Sequence, residues 1–281
     1  MSLSYTKLPV YIGQASGATI TETLSYVPAI QTNINYRTVH SPKRSLGVSI
    51  PTGEQFIFGG ALTADISINC ILQAGLESGF LFLENASQEA YVPIQIGDNL
   101  FQKCYVTDVS VDVEPYTPAT LNAQFVCLDP PTGISISGDQ NPYGGGEIPF
   151  SGDTIVYGHT CAVSNMGRVV GSVQSRVNFK RSYSRTPVYN LGSINASSML
   201  LDSVEEELTI TSTGLNTFIN LSGDLLNSTV GVTLKSPKTV MSEPLVGLIT
   251  MSEGARVVNQ DYGVTEGDTV EATVTIKQIK L

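Results

Sequence analysis

Two histidines, four cysteines and one run of three glutamates are the residues of this chain whose types could do chemistry. Neither His40 nor His159 has a Cys, His, Asp or Glu at metal-ligand spacing, and no GxSxG elbow accompanies them. Each reads as a structural or exposed histidine, although a Ser-His-Asp arrangement assembles in space and not in sequence. Cys70, Cys104, Cys127 and Cys161 stand singly in strand-like text, with no CxxC spacing. That placement reads as buried free thiols, with one disulfide left open. The glycines of NPYGGGE (141–147) precede neither Lys-Ser nor Lys-Thr, so a flexible arm fits better than a phosphate cradle. Four N-x-[ST] matches, at Asn85, Asn195, Asn220 and Asn227, mean little without a secretory signal. No enzyme activity, cofactor or metal is therefore expected.

The glutamate run is more informative. If Glu205-Glu206-Glu207 lies on a strand, Glu205 and Glu207 share one face and Glu206 takes the other beside Val204 and Leu208. Glu206 then needs a partner or an edge position, and a solvated edge strand guarded by charge is the plain alternative. The cations are also clustered. Of 15 Lys and Arg, eight fall in two windows: Arg37, Lys43 and Arg44, then Arg168, Arg176, Lys180, Arg181 and Arg185. Each window has strand-like text around a Pro-containing turn, as in a long β-hairpin. A basic hairpin beside an acidic body allows copies to join head to tail, with charge setting register more than affinity. Local pairing or simple solvation of these cations is the competing reading.

The elements that must hold these residues are mostly strands. Period-two runs rich in Val, Ile, Thr and Tyr cover residues 62–72, 104–113, 120–128, 204–211 and 269–279. Residues 75–87 and 214–227 carry mixed three- and four-residue apolar spacing and read as helices, each with interior Gly. Residues 129–153 are dense in Gly, Pro, Ser and Asp and read as a linker or arm.

On either side of that linker the text repeats. Ile34-Asn-Tyr36 matches Val177-Asn-Phe179, and 42–47 matches 187–192. Residues 62–69 match 204–211, 106–113 match 257–264, and 120–126 match 269–275. The order is preserved throughout. The expected fold is α+β and mostly β: two tandem β-sandwich or open-barrel units, each with one flanking helix and a long β-hairpin. The expected boundaries are 1–128 and 153–281, with 129–152 as the Gly/Pro-rich linker or arm.

Bulk properties narrow the functions. The chain has 281 residues, of which 41% are hydrophobic and 14% charged, with a formal net charge of -10. So low a charge fraction fits a surface covered by partners, or a surface made polar by Ser, Thr, Asn and Gln. An acidic chain does not gain affinity by neutralising duplex phosphates, but it can line a path along which nucleic acid slides. The start MSLSYTKLPVYIG lacks a charged region followed by an apolar run, and no window holds 18 apolar residues. Synthesis in cytoplasm and no membrane partner are expected.

The stretch NFKRSYSRTPVYNLGS, the strand EEELTI, a helix and the ending ARVVNQDYGVTEGDTVEATVTI together resemble the tail-tube fold of bacteriophages. The resemblance touches both units and most of the chain. It implies a non-enzymatic virion protein that builds stacked rings around a DNA channel. It further implies that 34–49 and 177–193 are inter-subunit hairpins, with Arg37, Lys43, Arg44, Arg176, Lys180, Arg181 and Arg185 as contact candidates. The strands 62–72, 104–113, 204–211 and 269–279 would wall the channel, and Asp65, Asp108, Asp112, Glu205, Glu207 and Glu271 would give it an acidic lining. Two fused units imply a trimeric ring with pseudo-sixfold symmetry, stacked on itself. Its partners would be tail, sheath or baseplate proteins and genomic DNA in transit without specific binding, all in the phage tail.

Within that resemblance the tail tube, a baseplate hub or distal-tail ring, and a neck ring are all open. A capsid-decoration or glycan-binding β module is the rival from another class, weakened by the absence of Trp. Reversing Arg181 and Arg185 to Glu is expected to abolish polymerisation and leave the fold intact.

Overall fold

The computed structural model describes residues 10–13, 25–27, 29–37, 40–42, 56–58, 63–72, 91–97, 99–129, 131–133, 162–164, 174–191, 195–213, 230–234, 247–251, 255–263 and 271–280. They form seventeen strands: β1 Val10–Ile12, β2 Ser25–Val27, β3 Ala29–Arg37, β4 His40–Pro42, β5 Phe56–Phe58, β6 Thr63–Ile71, β7 Val92–Ile96, β8 Asn99–Val113, β9 Thr120–Cys127, β10 Thr132–Gly133, β11 Ala162–Ser164, β12 Gln174–Tyr189, β13 Ala196–Thr213, β14 Val230–Leu234, β15 Gly247–Met251, β16 Arg256–Gly263 and β17 Glu271–Lys280. All five expected strand runs are present. The expected helices at 75–87 and 214–227 lie outside the described residues. Of the expected linker, Thr132 and Gly133 pair back onto Leu100 and Asn99. Its remainder, apart from Asp129 and the residue at 131, lies outside the described residues.

Twelve strands form one antiparallel sheet, and its centre is β8. β9 runs along one side of β8. On the other side β7 pairs with Asn99–Cys104 and β12 pairs with Asp108–Val113. A turn between Ile96 and Asn99 joins β7 to β8, and Gly97 adopts the positive φ (57°) that such a turn requires. The order β3-β6-β9-β8-β12-β13-β17-β16 makes an eight-strand span. β7, β1 and β2 extend the sheet from the first half of β8, and β11-β14-β15 form a separate three-stranded sheet.

Within the eight-strand span, β3-β6-β9-β8 and β12-β13-β17-β16 pair in the same order and register. A bulge sits at Ile30 where Ala29 and Gln31 face Cys70 and Asn69. The matching bulge sits at Ser175 where Gln174 and Arg176 face Ser212 and Thr211. A second pair of bulges falls at Thr107 on β8 and Val258 on β16. Between them Ile66 faces Phe125 as Leu208 faces Ile276. This register agrees with the sequence matches of 62–69 with 204–211 and of 106–113 with 257–264. It displaces two of the other three by two residues: Ile34 corresponds to Phe179, and Thr120 to Glu271; of the third, 43–47 lie outside the described residues. Strand text repeats every second residue, so a two-residue slip preserves the apolar pattern and escapes sequence matching.

One face of the span is apolar. Ile66, Ile68, Phe125, Val109, Val111, Phe179, Leu208, Ile210, Val274 and Ile276 are buried in one cluster. Each such side chain contributes about 1.5–3 kcal/mol when removed from water. Val10, Ile12, Ile94 and Ile96 of β1 and β7 join that cluster, as do Val230, Val232 and Met251 of β14 and β15. Cys104 and Cys127 also belong to it. They stand directly opposite on β8 and β9 and are joined by a disulfide. Of the two readings left open, one disulfide therefore replaces four free thiols, because register across the sheet, which sequence spacing does not give, places this pair together; Cys161 lies outside the described residues. Cys70 is free and buried, and burial pushes its thiol up to about 12.

A candidate conduit face and assembly arm

The second face of the span is largely polar, interrupted by Tyr105 and Val126 where the arm packs and by the exposed Ile279 beside Glu205. Alternation along each strand sends every other side chain there, and cross-strand pairing lines those side chains up in rows. One row reads Gln31, Asn69, Asn122, Ser110, Lys180, Glu207, Lys277 and Arg256, one residue per strand. The next holds Asn33, Ser67, Gln124, Asp108, Ser182 and Glu205. On the far half, hydroxyls of Thr209 and Thr275 (3.3 Å) and of Thr211 and Thr273 (3.2 Å) hydrogen-bond across strands.

All six acidic candidates, Asp65, Asp108, Asp112, Glu205, Glu207 and Glu271, occupy this one face. So do the cations Arg37, Arg176 and Lys180. Arg37 pairs with Asp65. Arg176 forks onto Asp112, with Nε 3.0 Å from Oδ1 and an Nη 2.7 Å from Oδ2, and its other Nη lies 3.3 Å from Glu114. Lys180 lies 3.8 Å from Asp108, whose carboxylate also accepts from Ser182 at 2.7 Å. Lys277 bridges Glu205 (3.0 Å) and Glu207 (2.8 Å). Hydrogen bonds to Glu207 and Glu205 raise the Lys277 ammonium, and the Asp112 bond raises the Arg176 guanidinium. The face is therefore a mixed lattice of carboxylates and cations, not a bare acidic surface. Arg176 and Lys180 of the second window are cross-strand partners of those carboxylates and do not project from the tip of a hairpin, while Arg168 lies outside the described residues.

Glu206 points the other way, as alternation requires, and is 1% exposed. Its carboxylate meets Arg181 at 2.6 Å in a row that includes Ile68, Ala123 and Val109. The Arg181 guanidinium lies 5.6 Å from the centroid of the Phe179 ring. The expectation that reversing Arg181 leaves the fold intact is thus overturned. A glutamate there would bury two carboxylates side by side.

The second window does form a long hairpin that extends beyond the sheet, but Pro187 stands within its ladder opposite Met199 and not in the expected Pro-containing turn. β12 leaves β8 after Ser182, and β13 joins β17 only from Val204. Tyr183–Tyr189 and Ala196–Ser203 pair only with each other among the described residues, forming an arm of about 20 Å at strand rise. Its inner side is anchored: Ala196 and Met199 pack with Tyr105 and Leu128, and Tyr91 and Val126 pack against them. Arg185 Nε donates to the Val106 carbonyl at 3.0 Å, and its guanidinium lies over the Tyr105 and Tyr183 rings. It fills the place along β8 where β7 has ended and β12 has not begun; burial lowers its pKa. Outward, the arm exposes Tyr189, Leu191 and Leu200 and carries no cation beyond Arg185.

Lys43 and Arg44 lie outside the described residues, as does the side chain of His40. Sequence reading missed the Glu206 partner, the Arg185 anchor and the apolar tip of the arm. The signal for the tip was present: VYNLGSINASSMLL is uncharged text in the midst of a charged window. Among the described residues no group of His, Cys, Asp and Glu is arranged to hold a metal, and no helix is long and apolar enough to cross a membrane. No protein-family model matches the chain, and no curated protein matches it.

Proposed function

We propose that this chain is a structural virion protein of a tailed bacteriophage, assembling into rings that form the tail tube and pass DNA along the polar face. It is built from two copies of one unit. Three chains then supply six units around the channel, and the apolar face is turned outward under the remaining strands. The observation that carries this reading is the eight-strand span itself. Two strand sets of the same order, register and bulge positions join into one sheet, and the polar rows run across their joint. A sheet of that kind has little reason to keep one face mostly polar unless that face borders water or a polar cargo.

The lattice of ion pairs suits passage of DNA. Most cations on the face are held by carboxylates, so few counterions would be released by docking a phosphate, and the electrostatic gain from binding is small. No catalysis is involved. Negative-stain electron microscopy with light scattering tests the reading. Tubes or stacked rings of three chains are expected. Isolated rings would move the assignment to a hub, distal-tail or neck ring of the same fold. A monomer that binds glycan or capsid instead would replace it with a decoration module.

A further inference from the structure

We propose that copies of this chain join edge to edge through β16 and β3, in the register by which β8 and β12 join within the chain. The proposal rests on the ring reading above and names the contact that closes the ring. β8 ends the first strand set and β12 begins the second, and their pairing fuses the two sets. β16 corresponds to β8, and β3 corresponds to β12, residue by residue through shared register and bulges. Among the described residues β3 pairs only with β6 and β16 only with β17. The β3 of a second copy therefore meets on β16 the backbone pattern that β12 meets on β8.

Carrying the internal joint across gives the register. Asp108 opposite Ser182 becomes Asn259 opposite Arg37. Ser110 opposite Lys180 becomes Asp261 opposite Asn35, and Asp112 opposite Asn178 becomes Gly263 opposite Asn33. These residues all fall on the polar face, so the rows of the conduit face continue from copy to copy. Charge polarity is also conserved. At the internal joint the carboxylates stand on β8 and the cations on β12. At the joint between copies Asp261 stands on β16 and Arg37 on β3, diagonal neighbours in this register.

The edges themselves are those of a pairing surface. Ile30 and Tyr36 on β3 and Val258 on β16 are exposed at 59%, 47% and 50%. β3 carries neither Pro nor Lys to repel another strand. The contact is heterologous, so repetition closes a ring if the rotation allows and grows an open chain otherwise.

The test is a pair of cysteines, Asn35→Cys with Asp261→Cys, in the full chain. The two positions lie on opposite edges of the span, so they meet only between copies. Mild oxidation of the assembled protein should give a ladder of covalent oligomers that stops at the ring size. Mass spectrometry should show the peptide linking 35 to 261. A control with Asn35→Cys and Gln260→Cys, whose side chains face opposite ways, should stay unlinked. Equal linking by the control, or assemblies without the 35–261 link, would overturn the register. Wild-type protein gives the same test without substitution. Amide exchange at 33–37 and 259–263 should slow at least tenfold on assembly, and unchanged exchange there would overturn the joint. Rings without the link leave the conduit reading standing and remove this pairing. The link in open chains without rings does the reverse.

Discussion

At the residue scale the most consequential pair is Arg181 with Glu206. A buried ion pair contributes little net stability over well-packed apolar residues, but breaking one partner leaves a charge stranded. Arg181→Met should therefore cost about 3–5 kcal/mol in denaturant unfolding, while Arg181→Met with Glu206→Leu should recover most of that loss. Equal losses in the single and double variants would show that the pair does not act as a unit. Cys70 makes a separate claim through pH. Its folded thiol is raised to about 12 from an ordinary 9.0, so the unfolded state ionises first. The stability it supports is full below pH 9.0 and is lost as pH climbs towards 12, at up to about 1.4 kcal/mol per pH unit. Cys70→Ala should flatten the alkaline limb of the stability profile relative to the parent. The raised Lys277 and Tyr183 act in the same direction and remain in both proteins, so only the difference reports the thiol.

At the element scale the strands were readable and their partners were not. The alternation in 62–72, 120–128 and 269–279 fixes which residues face inward, because one face must leave water. It also placed Glu206 opposite Glu205 and Glu207 correctly. Alternation is silent about register. That is why the Cys104–Cys127 contact, the Arg181–Glu206 pair and the two-residue displacement of the repeat matches emerged only from pairing. The basic windows misled for the same reason. Arg176 and Lys180 look unpaired along the chain, yet meet Asp112 and Asp108 more than sixty residues away. The arm of β12 and β13 is held along its outer half by Met199 and Ala196 against Tyr105 and Leu128. Met199→Ala should cost about 2–3 kcal/mol locally, within the range for a buried Met truncation. The readout is faster amide exchange across 183–203 with the sheet strands β6 and β9 unchanged. If β6 and β9 loosened equally, the arm would be part of the core and not an appendage.

At the scale of the whole molecule the proposed conduit has to account for a face that carries Arg37, Arg176, Lys180 and Lys277. Each of these cations is held against a carboxylate across the strand gap. Lys277 is the clearest case, because two glutamates share it at 3.0 and 2.8 Å. Exposed pairs of this kind add little to stability, so removing the carboxylates should leave the fold intact and change only what the face attracts. Glu205→Gln with Glu207→Gln frees Lys277 and takes two negative charges from each copy. Assembled wild-type protein should retain almost no duplex DNA at 50 mM salt. The double variant should bind it measurably, with affinity that falls steeply as salt rises, because each phosphate neutralised releases a counterion. Far-UV circular dichroism and the unfolding midpoint should match the parent within about 0.5 kcal/mol. Binding that ignores salt would mean that DNA grips some other part of the molecule. No binding by the variant would mean that the pairing of cations on this face has no part in keeping the path slippery.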